Sequence, residues 1–359
     1  MNQARWRRRW WIPVTAVVLV LLAAGVWGLV AEGPRTTPPP RAGESPSPAS
    51  SSVVPSSPGP SGPSSDSGVG SAPPGSPSAS APAPPAPAPG KITTWAYQLQ
   101  DYPSGGLQQL AAGPYQMVVI DLARDAHSDF FRRDEIGAVQ KTGKRVLSYF
   151  EIGSLEDFRP EYPGLRRDAP EIFANEWGDW PGEYFVRYWD PRWWDRVIKA
   201  RVDQAIASGF DGVYLDTPLA YEEIDLGAAQ GRDRDALGRE MTDLIVKISK
   251  YAKERKPGFL IVPQNSPELR EHPGYTAAID GIAMEELFYL ATDEPCTEDW
   301  CTENLANTRA LRDAGKFVLA VDYAVRRDAV SSACGRYRAE RFAGTVTVRD
   351  LDRPAAICG

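Results

Sequence analysis

The chain has 359 residues, of which 24% are charged and 42% hydrophobic, and its net charge is −7. This length accommodates two domains or one large domain with added segments, and the acidic balance argues against nucleic acid as a partner, because phosphate binding needs a basic face. The two histidines, His127 and His272, have no zinc-ligand spacing, and no Gly-x-Ser-x-Gly motif accompanies them. The sequence therefore disfavours zinc and serine hydrolases and predicts neither a metal nor a cofactor.

Residues 1–33 have the pattern of a membrane anchor. Four arginines within residues 5–9 precede an uncharged apolar run, residues 10–31, which is long enough to span about 30 Å of hydrocarbon. Arginines stay in the cytoplasm, so the rest of the chain is predicted to be extracellular. A cleaved signal peptide is the alternative, and Leu29 at the −3 position of a cut after Ala31 argues against it. The prediction is a membrane anchor, or a secreted protein if the segment is cleaved.

Residues 34–90 consist mainly of Pro, Ser, Ala and Gly. Such a segment buries too little apolar surface to offset its ordering entropy, so a disordered, extended linker is predicted. Residues 91–359 then form the folded domain. Residues 1–90 hold six arginines and three acidic residues, so the folded domain carries a net charge of −10.

Short apolar runs alternate with amphipathic helical patterns throughout the folded domain. Helices are predicted at residues 134–142, 193–207, 235–253 and 303–314, and each leads to a glycine before the next strand. Eight strands are predicted, at residues 93–98, 117–121, 146–151, 212–216, 259–265, 281–285, 318–322 and 344–348. Eight such units in about 250 residues indicate an α/β fold of the (β/α)8 barrel type. An open doubly wound sheet is the alternative, but no glycine-rich phosphate turn follows the first strand.

Seven of the eight predicted strands end in an acid or a carboxamide. The seven residues are Gln98, Asp121, Glu151, Asp216, Asn265, Glu285 and Asp322. In a (β/α)8 barrel the carboxyl ends of the strands form the floor of the active site. A polar, acidic cleft is therefore predicted, although a single such acid is more often a cap for a helix or turn.

Paired carboxylates without metal ligands or a phosphate loop are typical of glycoside hydrolysis, in which one acid protonates the leaving oxygen and one carboxylate attacks carbon or activates water. Sugar rings also need flat apolar faces. Aromatic residues are present near the predicted rim, and about a third of them are expected to contact substrate: Trp95, Tyr97, Trp177, Trp180, Tyr184, Tyr188 and Trp189. The stretch 152–189 is expected to cover part of the cleft.

Five motifs resemble those of glycoside hydrolase family 114 and its bacterial relatives. They are LSYFEIGSLEDFR (147–159), GFDGVYLD (209–216), PQNSPEL (263–269), GIAMEELFY (281–289) and VDYA (321–324). The resemblance spans residues 91–359 and implies a (β/α)8 barrel that cleaves α-1,4-linked galactosamine polymers internally. It assigns the family's catalytic aspartate to Asp216 and its glutamate to Glu285. Thr217 departs from the asparagine usual in the family, and the long insert at 156–189 resembles bacterial members.

The residues themselves support this pair. Asp216 is interpreted as the nucleophile or stabilising carboxylate, and Glu285 as the acid/base in a retaining mechanism. Glu286 is the rival, but neighbouring strand residues face opposite ways, so Glu285 faces the cleft if Met284 packs outward. Residues predicted to bind a polysaccharide substrate or to set pKa values are Trp95, Tyr97, Asp121, Tyr149, Glu151, Asn265, Glu286, Asp322 and Tyr323.

The four cysteines all follow residue 295, which favours disulfides in an oxidising compartment. Of three connectivities, Cys296–Cys301 with Cys334–Cys358 is favoured. Two other functions stay open. A non-catalytic carbohydrate-binding barrel would tolerate loss of one of the two carboxylates, and a polysaccharide deacetylase would need histidine ligands for a metal.

Overall fold

A computed structural model describes residues 92–102, 106–290 and 292–358. The predicted anchor and linker, residues 1–90, lie outside these ranges. Within the described residues, none of the helices combines the length and the apolar character that a membrane span requires.

The described part of the chain alternates strands and helices. The strands are β1 (Trp95–Tyr97), β2 (Met117–Asp121), β3 (Arg145–Glu151), β4 (Ser154–Glu156), β5 (Phe173–Glu176), β6 (Glu183–Val186), β7 (Gly212–Asp216), β8 (Leu260–Pro263), β9 (Gly281–Glu285), β10 (Tyr289–Leu290), β11 (Glu294–Pro295), β12 (Phe317–Tyr323), β13 (Ala343–Thr347) and β14 (Ala356–Ile357). The helices are α1 (Gln108–Ala112), α2 (Arg133–Gln140), α3 (Tyr162–Asp168), α4 (Pro191–Trp193), α5 (Lys199–Ser208), α6 (Ala220–Glu223), α7 (Arg234–Arg255), α8 (Tyr275–Ala278), α9 (Asp299–Asp313) and α10 (Arg327–Glu340).

Eight of these strands run parallel in the order of a (β/α)8 barrel. One sheet has the order β1-β2-β3-β7-β8, and the other contains β9-β12-β13. A parallel bridge between Gln264 and Ala283 links β8 to β9, and β1 lies beside β13. The α/β class and the eight predicted strands are confirmed, each with bounds that differ from the prediction by at most two residues.

Side chains alternate between two layers along each barrel strand. Those of one parity fill the barrel interior, with Tyr97, Tyr149, Tyr214 and Tyr323 among the buried residues. Those of the other parity, such as Met284, pack outward against the helices. Because the strand period is two residues, the layer of a strand-end side chain follows from the layer of its neighbours.

The four predicted helices are confirmed as α2, α5, α7 and α9, with a π-helical turn at Trp194–Ile198 joining α4 to α5. The Asp233 side chain caps α7 by accepting a hydrogen bond from the N–H of Ala236. Sequence patterns did not predict α10, whose buried face is made largely of small residues and Tyr337. Its apolar stripe is consequently too weak to stand out in the sequence.

Two antiparallel elements extend the barrel. After β3, residues 152–189 form an insert, whose strands β4, β6 and β5 make a small sheet in that order. Near the C-terminus, β14 pairs with β13. The disulfides Cys296–Cys301 and Cys334–Cys358 confirm the favoured connectivity, and the second one ties α10 to the segment that carries β14.

Candidate active site

Asp216 is the last residue of β7, and its side chain has the inward parity of Tyr214. The hydroxyl of Tyr149 donates to Oδ2 at 2.5 Å, and the backbone N–H of Thr217 donates to Oδ1 at 2.6 Å. Burial raises the pKa of Asp216 to about 6, with a further upward push from the Glu151 charge, against the opposing hydrogen bond from Tyr149. This carboxyl group therefore changes charge close to neutral pH.

Glu285 ends β9 in the same way. Met284 packs outward, so Glu285 points inward, as the alternation predicts. The Tyr323 hydroxyl donates to Oε1 at 2.9 Å, and the backbone N–H of Glu285 donates to the Asn265 side-chain oxygen at 2.9 Å. Burial raises the pKa of Glu285 to about 8, and the charges of Asp216 and Glu286 add to the rise.

The two carboxyl groups occupy one site at the carboxyl end of the barrel. Each ends a strand of the same parallel barrel, and the Asp216 charge acts directly on Glu285. The rings of Tyr97 and Tyr214, whose centroids are 5.0 Å apart, feel both charges. The structure therefore places these two acids at one opening, where tyrosine hydroxyls are their side-chain hydrogen-bond partners.

Asp121 and Glu151 have different neighbours. Both side chains contact Arg159 of the insert, with Nη1–Oδ2 at 3.1 Å and Nη2–Oε1 at 2.5 Å, and Arg201 donates to Glu151 at 2.9 Å. Their side chains are 3% and 1% exposed. They were predicted to bind substrate or to set pKa values. Ion pairing with buried arginines argues against substrate contact, while the Glu151 charge does raise the pKa of Asp216. Arg159 ends the motif LSYFEIGSLEDFR (147–159), but no role was predicted for it.

The pKa values of this ion-paired cluster diverge. Although burial opposes it, the two arginines hold the pKa of Glu151 at about 2. Burial raises the pKa of Asp121 to about 6 against the attraction of Arg159. Glu156, which also contacts Arg159, has its pKa raised to about 10 by burial and by the Glu151 charge beside it. A proton on Glu156 therefore relieves the crowding of negative charge around Arg159.

Two of the predicted strand-end residues face away from the cleft. Asp322 has the parity of Ala320 and points outward, where its Oδ1 accepts hydrogen bonds from the N–H groups of Phe288 and Tyr289 at 3.1 and 3.3 Å. The Gln98 amide donates to three backbone carbonyls, among them that of Asp352 at 3.2 Å. Both side chains hold loops in place, so the prediction that Asp322 binds substrate is wrong.

The prediction that Trp95 binds substrate is also wrong. Its ring is 0% exposed, stacks on Tyr97 with centroids 5.5 Å apart, and donates from Nε1 to the Ala320 carbonyl at 3.3 Å. It fills the barrel below the two carboxyl groups and presents no surface to a sugar. Tyr97, 2% exposed, lies between this tryptophan and Tyr149, so its contribution is to the electrostatics of the floor.

The remaining predicted residues surround the carboxyl pair. Tyr149 and Tyr323 bond the carboxyl groups directly, and Asn265 holds the backbone of Glu285. Glu286 follows the strand with a positive φ of 56°, close enough for its charge to raise the pKa of Glu285. Gln264, which also hydrogen-bonds Glu285, was missed although its parity with Val262 predicts an inward side chain.

The insert contributes one exposed aromatic side chain from the predicted set. Trp180 is 42% exposed, and the Arg349 guanidinium lies 4.8 Å from its ring centroid, just beyond the carboxyl end of β13. Tyr188 is buried and donates to the Leu237 carbonyl at 2.8 Å. Trp177, Tyr184 and Trp189 are partly buried and pack on the core. The insert therefore reaches the rim at Trp180, while most of its aromatic residues stabilise the insert itself.

No group of three or more His, Cys, Asp or Glu side chains among the described residues is arranged to hold a metal ion. The site as described consists of two carboxyl groups, tyrosine hydroxyls and side-chain amides. Such a set supplies proton transfer and a nucleophile.

Comparisons with known proteins agree with this chemistry. The sequence model of glycoside hydrolase family GH114 matches residues 75–359, beginning within the predicted linker. An uncharacterised protein of Deinococcus radiodurans is 34% identical over 260 residues, covering 72% of this chain and 81% of its own. Another, from Methanocaldococcus jannaschii, is 34% identical over 235 residues, covering 64% of this chain and 66% of its own.

Two solved structures have the same fold. One is the glycoside hydrolase domain of PelA from Pseudomonas aeruginosa, 17% identical with a TM-score of 0.59, covering 74% of this chain and 98% of that domain. The other is Aspergillus fumigatus Ega3 in complex with galactosamine, also 17% identical with a TM-score of 0.59, covering 77% of this chain and 99% of that one.

Proposed function

Because the chain belongs to glycoside hydrolase family GH114 and is a glycoside hydrolase, we propose that it cleaves an α-1,4-linked, galactosamine-containing polysaccharide internally. Asp216 and Glu285 are the proposed catalytic pair. The observation that carries the assignment is that these two carboxyl groups share one opening and have different pKa values, since burial raises that of Asp216 to about 6 and that of Glu285 to about 8. Between these values one group is a carboxylate and the other an acid, as glycoside hydrolysis requires.

In the proposed retaining reaction, the Asp216 carboxylate attacks the anomeric carbon while Glu285 gives its proton to the leaving glycosidic oxygen. The bond between carbon and oxygen breaks, and a glycosyl ester on Asp216 forms. The Glu285 carboxylate then takes a proton from water as the water oxygen attacks the anomeric carbon, and the bond from that carbon to Asp216 breaks and regenerates the Asp216 carboxylate. Tyr149 and Tyr323 hold the two carboxyl groups in position through their hydroxyls.

The substrate proposal is supported by charge and by the fold relative in complex with galactosamine. The folded domain carries a net charge of −10, and a negative cleft attracts a cationic amino-sugar polymer and raises its local concentration. The proposed place of action is outside the membrane, on an N-terminal anchor and linker. Two disulfides support an oxidising compartment.

The test is reducing-end release from a panel of amino-sugar and neutral polysaccharides. The wild-type enzyme should release reducing ends from a partly deacetylated galactosamine polymer and leave neutral polymers intact. Asp216→Asn should bind the polymer and not cleave it. Glu254→Gln, on the exposed side of α7, is the matched control and should behave as wild type.

Glu285→Gln separates the two roles. It should fail on the polymer yet release a good aryl leaving group in a first burst, because such a group departs without an acid, while hydrolysis of the glycosyl ester still needs the Glu285 base. Near-normal polymer hydrolysis by Glu285→Gln would move the acid to another residue. Polymer binding without cleavage by the wild-type protein would favour the carbohydrate-binding barrel. NMR of the first-formed anomer decides between retention and inversion.

A further inference from the structure

The insert places a carboxyl group in contact with the turn that follows Asp216. Glu183, in β6, is 9% exposed, and its Oε1 lies 2.5 Å from the Ser154 hydroxyl. Ser154, in β4, is fully buried, and its hydroxyl also lies 3.0 Å from Oγ1 of Thr217. A chain of side chains therefore runs from Glu183 through Ser154 to the residue after Asp216.

Thr217 is bound tightly to Asp216. Its N–H donates to the Asp216 carboxylate at 2.6 Å, and its hydroxyl donates to the Asp216 backbone carbonyl at 2.8 Å. Its φ of 59° is unusual for a β-branched residue. Such a conformation persists only where surrounding contacts over-determine it, and here those contacts include the Ser154 hydroxyl and the N–H of Gly153, which donates to Oγ1 at 3.0 Å.

Gly153 shows how close the insert lies. A Cβ atom added at this position would lie 2.2 Å from the Thr217 carbonyl oxygen and 2.5 Å from the Ala220 Cβ. A larger residue would push the start of the insert away from the turn after β7. The contact between the two segments is thus a backbone approach that only glycine permits.

The number of hydroxyl protons leaves this chain two arrangements. Thr217 has one hydroxyl proton, which it gives to the Asp216 carbonyl, so toward Ser154 its hydroxyl oxygen can only accept. Ser154 also has a single proton, which it donates either to Oε1 of Glu183 or to Oγ1 of Thr217. In the second arrangement Ser154 can accept a proton from Glu183, which must then be protonated. If Glu183 ionises, the Ser154 proton turns toward the carboxylate, and Thr217 loses that donor.

We propose that Glu183 is a positioning residue that acts, as a neutral acid, through Ser154 and Thr217 to fix the orientation of the Asp216 carboxylate. This inference rests on the proposed role of Asp216. It assigns a function in the reaction to the insert, which contributes neither member of the catalytic pair.

The charges around Glu183 favour its neutral form. Burial raises its pKa to about 8, and the charges of Glu151 on β3 and Asp216 on β7 add to this rise. The Ser154 hydrogen bond and the positive charge of Arg159 act in the opposite direction and are outweighed. Glu183 is therefore protonated over the range in which Asp216 is a carboxylate and Glu285 an acid.

The test compares a variant that keeps the donor with variants that break the chain. Glu183→Met and Ser154→Ala should each lower kcat about 10- to 100-fold with KM within about threefold, because small misplacement of a reacting group has effects of this size. Both should also shift the acid limb of the pH profile, since Thr217 then holds the Asp216 carboxylate less firmly. Glu183→Gln, whose amide donates to Ser154 at every pH, should restore most of kcat. Asp179→Asn, exposed in the same hairpin, is the matched control.

A second measurement is independent of activity. The pKa of Glu183 is raised from 4.5 to about 8, so its stabilising contribution is present below pH 4.5 and is lost as pH rises to about 8. The free energy of unfolding of wild type minus that of Glu183→Gln should therefore fall across this window. A difference that is flat with pH would overturn the neutral form of Glu183, even if no polymer proves to be a substrate.

The kinetic outcomes also separate the positioning role of Glu183 from the nucleophilic role of Asp216. Folded Glu183→Met and Ser154→Ala enzymes with wild-type kcat and an unmoved acid limb would overturn the positioning role while leaving Asp216 as the nucleophile. A loss of kcat matched by an equal loss in Glu183→Gln would show that the carboxylate, not the neutral donor, is required. If Ser154→Ala does not fold, Thr217→Ser, which keeps the hydroxyl, and Thr217→Val, which removes it, make the same comparison.

Discussion

The two sides of the barrel opening use the same residue types in opposite ways. On the β2–β3 side, Asp121 and Glu151 contact Arg159 and are almost fully buried. On the β7–β9 side, Asp216 and Glu285 contact tyrosine hydroxyls and amides, and both are partly exposed. A strand-end carboxylate that is ion-paired with a buried arginine is held in the structure, whereas one bound by tyrosine hydroxyls and amides and open to the cleft can reach a substrate.

The sharpest contrast is between matched substitutions on the two sides. Asp216→Asn should lower kcat/KM by on the order of 10³-fold or more, the loss usual when one catalytic group is removed. Asp121→Asn should keep kcat/KM within about fivefold, because Asp121 contacts Arg159 rather than reacting atoms. Both are measured by polymer cleavage at the same pH. An equal loss of activity in the two variants would break the distinction between the sides.

Arg159→Met should have the largest effect on stability. It leaves Asp121 and Glu151 buried without one of their cations, which costs about 3–5 kcal/mol. The measurement is the free energy of unfolding in urea. Arg239→Met, which breaks an exposed pair with Asp235 on α7, is the control and should change stability by less than about 1 kcal/mol. A similar loss of unfolding free energy in both variants would mean that burial does not determine how strongly the ion pairs of Arg159 stabilise the protein.

Removing the tyrosine hydroxyls should shift the pH profile rather than the stability. Burial raises the pKa of Asp216, and the hydrogen bond from Tyr149 partly offsets that rise; Tyr149→Phe removes this hydrogen bond. Tyr323 has the same effect on the pKa of Glu285, and Tyr323→Phe removes it. Both pKa values should rise by about one to two, because a hydrogen bond to a charged group contributes about 1.5–3 kcal/mol. Tyr149→Phe should therefore raise the acid limb from about 6 and narrow the active range, while Tyr323→Phe should raise the alkaline limb from about 8 and widen it.

The smallest expected effect is at the rim. Trp180→Ala should raise KM for long polymers about two- to tenfold, the range expected when one aromatic contact is lost, and leave kcat unchanged. Short oligosaccharides that do not reach the insert should be cleaved as by wild type. An unchanged KM for every substrate length would remove Trp180 as a sugar platform.

The sequence predicted the barrel well because its strands are short apolar runs whose ends are marked by polar residues. The alternation of side chains also settled that Glu285, preceded by the outward Met284, faces the cleft. Alternation also places Asp322 on the outer face, because its neighbours Val321 and Tyr323 face the barrel interior. The prediction that Asp322 binds substrate was wrong because every strand-end acid was assumed to face the cleft.

Other parts of the site lay beyond sequence patterns. Arg159 contacts Asp121 across 38 positions of the chain, and no local period marks such a contact. Glu183 lies in the insert, residues 152–189, which was predicted only to cover part of the cleft and whose small antiparallel sheet was not predicted. The pKa values depend on burial and on charges from several elements, so the difference between the two sides of the opening becomes visible only in three dimensions.

The turns after β7, β8 and β9 share an unfavourable backbone conformation. Thr217, Asn265 and Glu286 all have φ between 56° and 59°, a region that costs non-glycine residues of order 1–3 kcal/mol each. Selection for heat resistance alone would therefore favour glycine at Glu286, because glycine adopts this backbone conformation without strain, whereas Thr217 also makes buried hydrogen bonds through its hydroxyl. Such thermostable descendants should lose activity, because a relaxed turn no longer aims the preceding carboxylate. A screen that scores survival and turnover together would reveal this trade-off.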